Sequence, residues 1–230
     1  MVYKTISLGG SLIWGTEGIN TDYYTRFCEL LKRDIDDIRY IIVVGGGQIA
    51  RQVISAGKDF NLESDELDEL GIEATHFNAK LLYYLLRKSD IFAYYSEHPD
   101  RETRGSINMN RVIVTGGTTH GHTTDEVAVD MAHKYGDNTV VNVTKIGGIY
   151  TDDPNKSKDA ELIEVVKASE LLKKWGREHV PGASKPFGVA ALDRALSSNT
   201  IIHVIGEDIS NLEKALFEGT GYSGTKIIPY

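Results

Sequence analysis

The chain has 230 residues, 41% of them hydrophobic and 25% charged. That is the balance of a soluble globular protein, with enough chain for one large domain or two small ones. A formal net charge of −8 excludes generic nucleic-acid binding through a basic surface, yet a local cationic pocket could still take a small phosphorylated ligand. One cysteine, Cys28, excludes an internal disulfide framework and fits a reducing compartment. With no leader-like segment and no apolar run of about 18 residues, a cytoplasmic protein is expected.

Residues 3–8 read as an opening strand, and Thr21 or Asp22 as the cap of a helix running to about residue 33. Cys28 falls among leucines in that helix, which predicts a buried thiol rather than a nucleophile. Ile41, Ile42, Val43 and Val44 form an unbroken apolar run, the mark of a strand covered on both faces. Helices follow over about 48–58 and 64–87; in the second, Leu70, Ala74, Phe77, Leu81 and Leu85 are spaced to form one buried face. A strand at 91–95 precedes a polar stretch, 98–110, expected to be an exposed loop. Residues 111–115 and 139–144 read as strands, separated by a helix capped by Thr123 or Thr124. Residues 145–155 are turn-rich, 168–175 and 187–196 helical, and 176–186 irregular. A strand at 200–205, a helix at 208–217 and a strand at 225–228 close the chain. This alternation predicts an α/β fold, a three-layer sandwich around a mostly parallel sheet, with a division into two lobes near residue 115.

Glycine-rich breaks directly follow three of the strands: Gly9-Gly10-Ser11, Gly45-Gly46-Gly47 and Gly116-Gly117-Thr118. Glycine lets a backbone approach a ligand closely, and a strand-to-helix loop presents free N–H groups to an anion. Three such loops in one chain could surround two phosphorylated molecules, which suggests phosphoryl transfer between them. The second loop, with Gln48, Ile49 and Ala50, also satisfies the glycine spacing of a dinucleotide site, but the polar stretch 59–66 stands where that fingerprint needs a strand. An anion cradle with Arg51 on the first helical turn fits better, and a tight turn with a solvated arginine is the plain alternative. The third loop continues through His120, His122, Thr123, Thr124 and Asp125. The two histidines read as polar loop residues rather than zinc ligands, and Asp125 could simply serve a helix N-terminus. Gly147, Gly148, Tyr150, Asp152, Asp153 and Pro154 could read a nucleobase or form a surface turn.

In this order and spacing the segments resemble the amino-acid kinase superfamily, and within it the archaeal-type uridylate (UMP) kinases. The matching pieces are Leu8-Gly9-Gly10-Ser11-Leu12, residues 43–51, Leu70-Gly71-Ile72-Glu73-Ala74-Thr75 with Asn78-Ala79, the Gly116 and Thr124-Asp125 stretch, Gly148-Ile149-Tyr150-Thr151 with Asp153-Pro154, and Gly224-Thr225. The resemblance implies a single domain, residues 1–115 binding the phosphate acceptor and 116–230 binding ATP. It assigns Gly46, Gly47 and Arg51 to the UMP phosphate and Asp68 to the ribose hydroxyls. Thr118 and Thr124 go to the acceptor phosphate or base. Tyr150, Asp153 and Pro154 go to the adenine pocket, and Gly9, Gly10 and Ser11 to the transferred phosphoryl group. Beside these, Lys145 is expected at ATP and Asp125 in the transfer. ATP with Mg²⁺ and a homo-oligomer, commonly a hexamer, come with the family; no protein-held metal ligand set, nucleic acid or membrane is expected.

The chain departs from that pattern at four points. Ser7 stands where the family has a strand lysine, Gly147 where it has an aspartate, Gly188 where it has an acid, and His120 where it has a proline. Lys145 and Lys185 are candidate replacement cations, and Asp125 and Asp152 candidate replacement acids. These losses leave two alternatives to a UMP kinase: a kinase for another phosphorylated acceptor, or a nucleotide-binding or storage protein with little turnover.

Overall fold

A computed structural model of the chain describes residues 2–15, 18–32, 37–102, 109–176 and 187–230. The chain runs through β1 (Val2–Leu8), α1 (Gly10–Ile13), β2 (Trp14–Gly15), β3 (Gly18–Ile19), α2 (Thr21–Lys32), β4 (Ile38–Val44) and α3 (Gly47–Asp59). It continues with α4 (Ser64–Lys88), β5 (Ala93–Tyr95), β6 (Val112–Thr115), α5 (Thr124–Tyr135) and β7 (Thr139–Val143). The last elements are β8 (Val165–Lys167), α6 (Ala168–Trp175), α7 (Val189–Ser198), β9 (Ile201–Ile205), α8 (Ile209–Phe217) and β10 (Gly224–Ile228).

Side-chain alternation explains the layering. In β4, Tyr40, Ile42 and Val44 pack into one apolar core, while Ile41 and Val43 pack into the other. Helices α2, α4 and α8 cover the first face; α5, α6 and α7 cover the second. The expected three-layer sandwich is therefore present. Among the described residues the main sheet has eight strands in the order β5-β6-β4-β1-β7-β9-β10-β8. Only β10 against β9 is antiparallel within it. No helix of the described residues is long and apolar enough to cross a membrane.

Strand β1 sits at the middle of the sheet. Strands β4, β6 and β5 extend from one edge of it and β7, β9, β10 and β8 from the other. Connections leaving the carboxyl ends of β1 and its neighbours diverge there, which opens a crevice of the kind that binds ligands in parallel sheets.

Some expectations need correction. The cap of α2 is Asn20, whose Oδ1 accepts from the Tyr23 N–H at 3.1 Å, rather than Thr21 or Asp22. The buried face of α4 is only partly the one read from the leucines: Ala74 is buried and Leu81 and Leu85 pack against the core, but Thr75, His76, Asn78, Ala79, Leu82 and Leu86 are also buried and Phe77 is 54% exposed. The hairpin of β2 and β3 and the edge strand β8 were not foreseen. The polar loop after β5 is not free: Pro99 is buried, and Lys134 Nζ donates to the carbonyls of Pro99, Asp100 and Glu102. Residues 177–186 of the irregular stretch, with Lys185, and residues 103–108 lie outside the described residues.

Candidate active site

Two of the glycine loops interlock through their backbones. A Cβ on Gly10 would overlap the Gly45 carbonyl oxygen and the Gly47 nitrogen, and one on Gly47 would overlap the Gly10 carbonyl. Gly47 also has a φ of +59°, a region that glycine enters without the usual steric penalty. The Gly45 N–H donates to Leu8 O at 2.9 Å, and Gly9 N–H to Val143 O at 3.0 Å. From α4, Asn78 Nδ2 donates to the carbonyls of Gly45 and Gly46 at 2.9 and 3.1 Å. Gly9, Gly10, Ser11, Gly46 and Gly47 thus form one junction over the ends of β1, β4 and β7.

Beside this junction lies a carboxylate. Asp125 enters at the start of α5, where Thr123 is the cap and exchanges hydrogen bonds with Glu126 in a capping box. Its Oδ1 accepts from Ser7 Oγ at 3.0 Å and its Oδ2 from the Gly188 N–H at 3.1 Å. Tyr3 of β1 belongs to the core under α5, so Ser7, four residues on, faces the same way. Some Asp125 surface remains accessible, but the carboxyl is enclosed by protein, and burial pushes its pKa up to about 6 against the opposing bonds from Ser7 and Gly188.

A cleft of about 300 Å³ opens on the β4–β6 side, walled by Ile54, Asp68, Thr75, Gly117, His122 and Thr124 among others. Asp68 Oδ2 accepts from the Gly121 N–H at 2.7 Å, and Thr75 Oγ1 accepts from the Gly117 N–H at 2.7 Å. Helix α4 therefore holds the loop that forms the opposite wall. Of the residues expected at the acceptor, Asp68 and Thr124 line this cleft, while Gly46, Gly47, Arg51 and Thr118 do not. Arg51 is exposed and its guanidinium lies on Gln48 Oε1 at 3.1 Å; Thr119, rather than Thr118, faces the cleft. The histidines are engaged singly, His120 with Glu69 at 2.6 Å and His122 with Arg194 at 3.1 Å. Glu69 holds the His120 pKa above its ordinary value.

A second pocket, of about 220 Å³, follows β7 and is lined by Ile146, Gly148, Tyr150, Asp153, Pro154 and Trp175 among others. Tyr150, Asp153 and Pro154 come together as expected. Asp153 also accepts from the Asn155 N–H at 3.0 Å, and that bond, with Lys156 nearby, keeps its carboxyl below the usual range. Lys145 is not in this lining; its Nζ reaches toward the β2–β3 hairpin, 3.7 Å from where a Gly15 Cβ would stand.

The profile of the amino acid kinase family matches residues 4–206. The chain belongs to the amino acid kinase family. Its relatives include the uridylate kinase of Methanococcus aeolicus, 33% identical over 219 residues, 93% of this chain and 96% of that one. The uridylate kinase of Thermoplasma volcanium is 34% identical over 212 residues, covering 92% and 91%. The crystal structure of uridylate kinase from Archaeoglobus fulgidus superposes with a TM-score of 0.82 at 26% identity, covering 99% of this chain and all of that one. The UMP kinase of Bacillus anthracis, with a TM-score of 0.79 at 18% identity, shows the shared fold.

Membership of the amino acid kinase family gives the departures a meaning. Ser7 and Gly188, two positions where charged groups were expected, both touch Asp125. The third, Gly147, has a φ of +77°, and a Cβ there would stand 3.2 Å from Gly206 Cα. A side chain there would be strained and would crowd Gly206. Sequence reading missed Ile54, Thr75 and His122 in the first cleft and Lys174 and Trp175 in the second. Their signal is spatial, since α3, α4, α6 and the loop before α5 reach these clefts only in the folded chain. Among the described residues no three His, Cys, Asp or Glu side chains cluster as a metal cage. A Mg²⁺ carried on substrate phosphates asks the protein for one or two carboxylates, and Asp125 is the acid beside the glycine junction.

Proposed function

We propose that this chain is a cytoplasmic phosphotransferase that moves the γ-phosphoryl group of ATP to UMP, giving ADP and UDP. The observation that carries this reading is the interlocked glycine junction beside Asp125, in a chain that also carries one cleft walled by Asp68 and Thr124 and another lined by Tyr150 and Pro154. The half built from residues 1–115, together with the loop that crosses to it, holds UMP; the half from 116 onward holds ATP. A UMP phosphate oxygen bonds to the γ-phosphorus as the bond to the β,γ-bridging oxygen breaks, and ADP leaves with that electron pair. Alignment and charge compensation do most of the work in such a transfer. Amides of Gly10 and of the Gly46–Gly47 loop receive the phosphates, Asp68 receives the ribose hydroxyls, and Tyr150 and Pro154 cover the adenine. Asp125 fixes β1, α5 and α7 around the reacting groups and would be the carboxylate that holds Mg²⁺, which would supply positive charge to the phosphoryl oxygens. Lys145 supplies a cation from the β7 side, where Ser7 supplies none.

A coupled ADP-release assay with ATP, Mg²⁺ and a panel of nucleoside monophosphates tests the reading. UMP-dependent turnover is expected. Release that depends on another phosphorylated acceptor, on none, or no release at all overturns it. Arg51 rests on Gln48 in the unliganded chain and would turn from it to the UMP phosphate, so on the same assay Arg51→Ala should raise the KM for UMP about tenfold or more, the cost of a lost charge-assisted bond, and leave that for ATP within about twofold. Equal shifts in both would remove Arg51 from the UMP phosphate.

The oligomer expected of the family has a candidate surface. On α4, Glu73, Phe77, Lys80, Tyr84 and Lys88 all face solvent along one stripe. Pairing two copies of α4 antiparallel about the midpoint between Lys80 and Leu81 sets Phe77 against the other copy's Tyr84 and Glu73 against its Lys88. Tyr84→Glu should therefore lower the mass measured by light scattering; an unchanged mass rules this face out.

A further inference from the structure

Glu126 is a buried carboxylate, and part of its compensation comes from outside its own helix. Its side chain is 5% exposed, and Arg194 of α7 reaches it with Nε at 3.1 Å from Oε1. The other arms of the same guanidinium go elsewhere. One bonds Asp130, a turn further along α5, and Nη2 donates to the His122 ring, 3.1 Å from Nε2. The planar fork thus spans the first turns of α5 and the loop before them. Glu126 passes the restraint on, because its Oε2 accepts from the Thr123 N–H at 2.8 Å and the Thr123 hydroxyl at 3.1 Å. His122, Thr123 and Thr124 are consecutive and all line the cleft assigned to UMP.

We propose that Arg194 is a positioning residue that clamps the His122–Thr124 wall of the acceptor cleft to helix α7. Arg194 touches no substrate. Helix α7 meets the site a second time at its start, through the Gly188 N–H on Asp125. The carboxylate at the reaction centre and the acceptor wall are thereby held by one rigid element, so a shift of α7 moves both. A wall held in place matters because a misplacement of about 1 Å in a phosphoryl acceptor lowers turnover by about 100-fold. Lysine at this position can meet one carboxylate but lacks the fork needed for three partners.

The assignment to UMP rests on the function proposed above, so the test carries one readout that does not. Hydrogen exchange of the unliganded protein should show faster exchange in a peptide spanning 118–124 for Arg194→Met than for the wild type, and an intermediate rate for Arg194→Lys. Peptides of β1 and β4 should exchange as in the wild type, which separates loss of the clamp from general loosening. Unchanged exchange at 118–124, or an equal increase throughout, overturns the clamp. In the coupled assay, Arg194→Met should raise the KM for UMP about tenfold, equivalent to ~1.4 kcal/mol, with the KM for ATP within about twofold. Equal changes for both nucleotides overturn it as well. A wild type that ignores UMP would defeat the function proposed above and leave the exchange comparison to decide the clamp.

Discussion

Gly10→Ala is expected to leave no measurable kinase activity and to lower Tm by about 10 °C, the shift that ~3 kcal/mol produces in a chain of this size. The added methyl has nowhere to go. It would overlap Gly45 O and Gly47 N, both backbone atoms, and Asn78 holds the Gly45 carbonyl from behind. Backbone cannot rotate away as a flexible side chain can, so the cost belongs with the larger overpacking penalties. Gly121→Ala is a useful contrast. Gly121 has nothing within 4 Å of its Cβ position but a φ of +75°, so the strain there is local and the penalty smaller. Thermal unfolding and the coupled assay on both variants check the contrast; a Gly10→Ala protein that is as stable and active as wild type would mean that the two loops do not interlock.

Asp125→Asn should cut turnover about 100-fold, the scale of a misaligned reaction, while making the protein more stable at neutral pH. Both effects come from the same burial. The carboxyl has a pKa of about 6 in the fold against an ordinary 3.8. The folded state therefore takes up the proton first as pH falls, and holding Asp125 ionised costs stability above pH 6. That cost fades between about pH 6 and pH 4 and is absent below 4, where both states are protonated. Asparagine carries no charge to bury, and its bonds can be kept. Its oxygen accepts from Gly188 N–H while its amide donates to Ser7 Oγ, which can turn to accept. The stability gain of the variant should reach ~1–2 kcal/mol at pH 7–8 and vanish near pH 4, read by denaturant unfolding across that range. Full turnover in the variant would reduce Asp125 to a helix-terminal residue.

Much of the fold was legible because it rests on local signals. The unbroken run 41–44 announced a doubly covered strand, and glycines after strands announced the loops at the carboxyl edge of the sheet. The face of α4 was misread for a physical reason. Thr75, His76 and Asn78 are buried because the glycine loops, Tyr95 and Gly117 bond to them, so the inward side of that helix is partly polar. A hydrophobic-periodicity reading then assigns Phe77 inward, where it is in fact exposed. The site followed the same division. Tyr150, Asp153 and Pro154, read from one short segment, line one pocket. The meeting of Ser7, Asp125 and Gly188 joins positions 118 and 63 residues apart, and no local pattern encodes it. Resemblance marked Ser7 and Gly188 as departures without showing that they share a partner.

The central place of β1 also bears on how the molecule assembles. Its partner on one side is β4, but on the other it is β7, so Thr5 pairs with Val140. Closing that long a stretch of chain carries a high entropic toll and comes slowly. Each flank of the sheet can condense from nearer contacts, whereas the seam between them waits for a distant encounter. Ser7 meets Asp125 where α5 packs on β1, a contact between positions 118 residues apart. Catalytic competence should therefore emerge after most secondary structure has formed, and partly folded chains should be inert rather than weakly active.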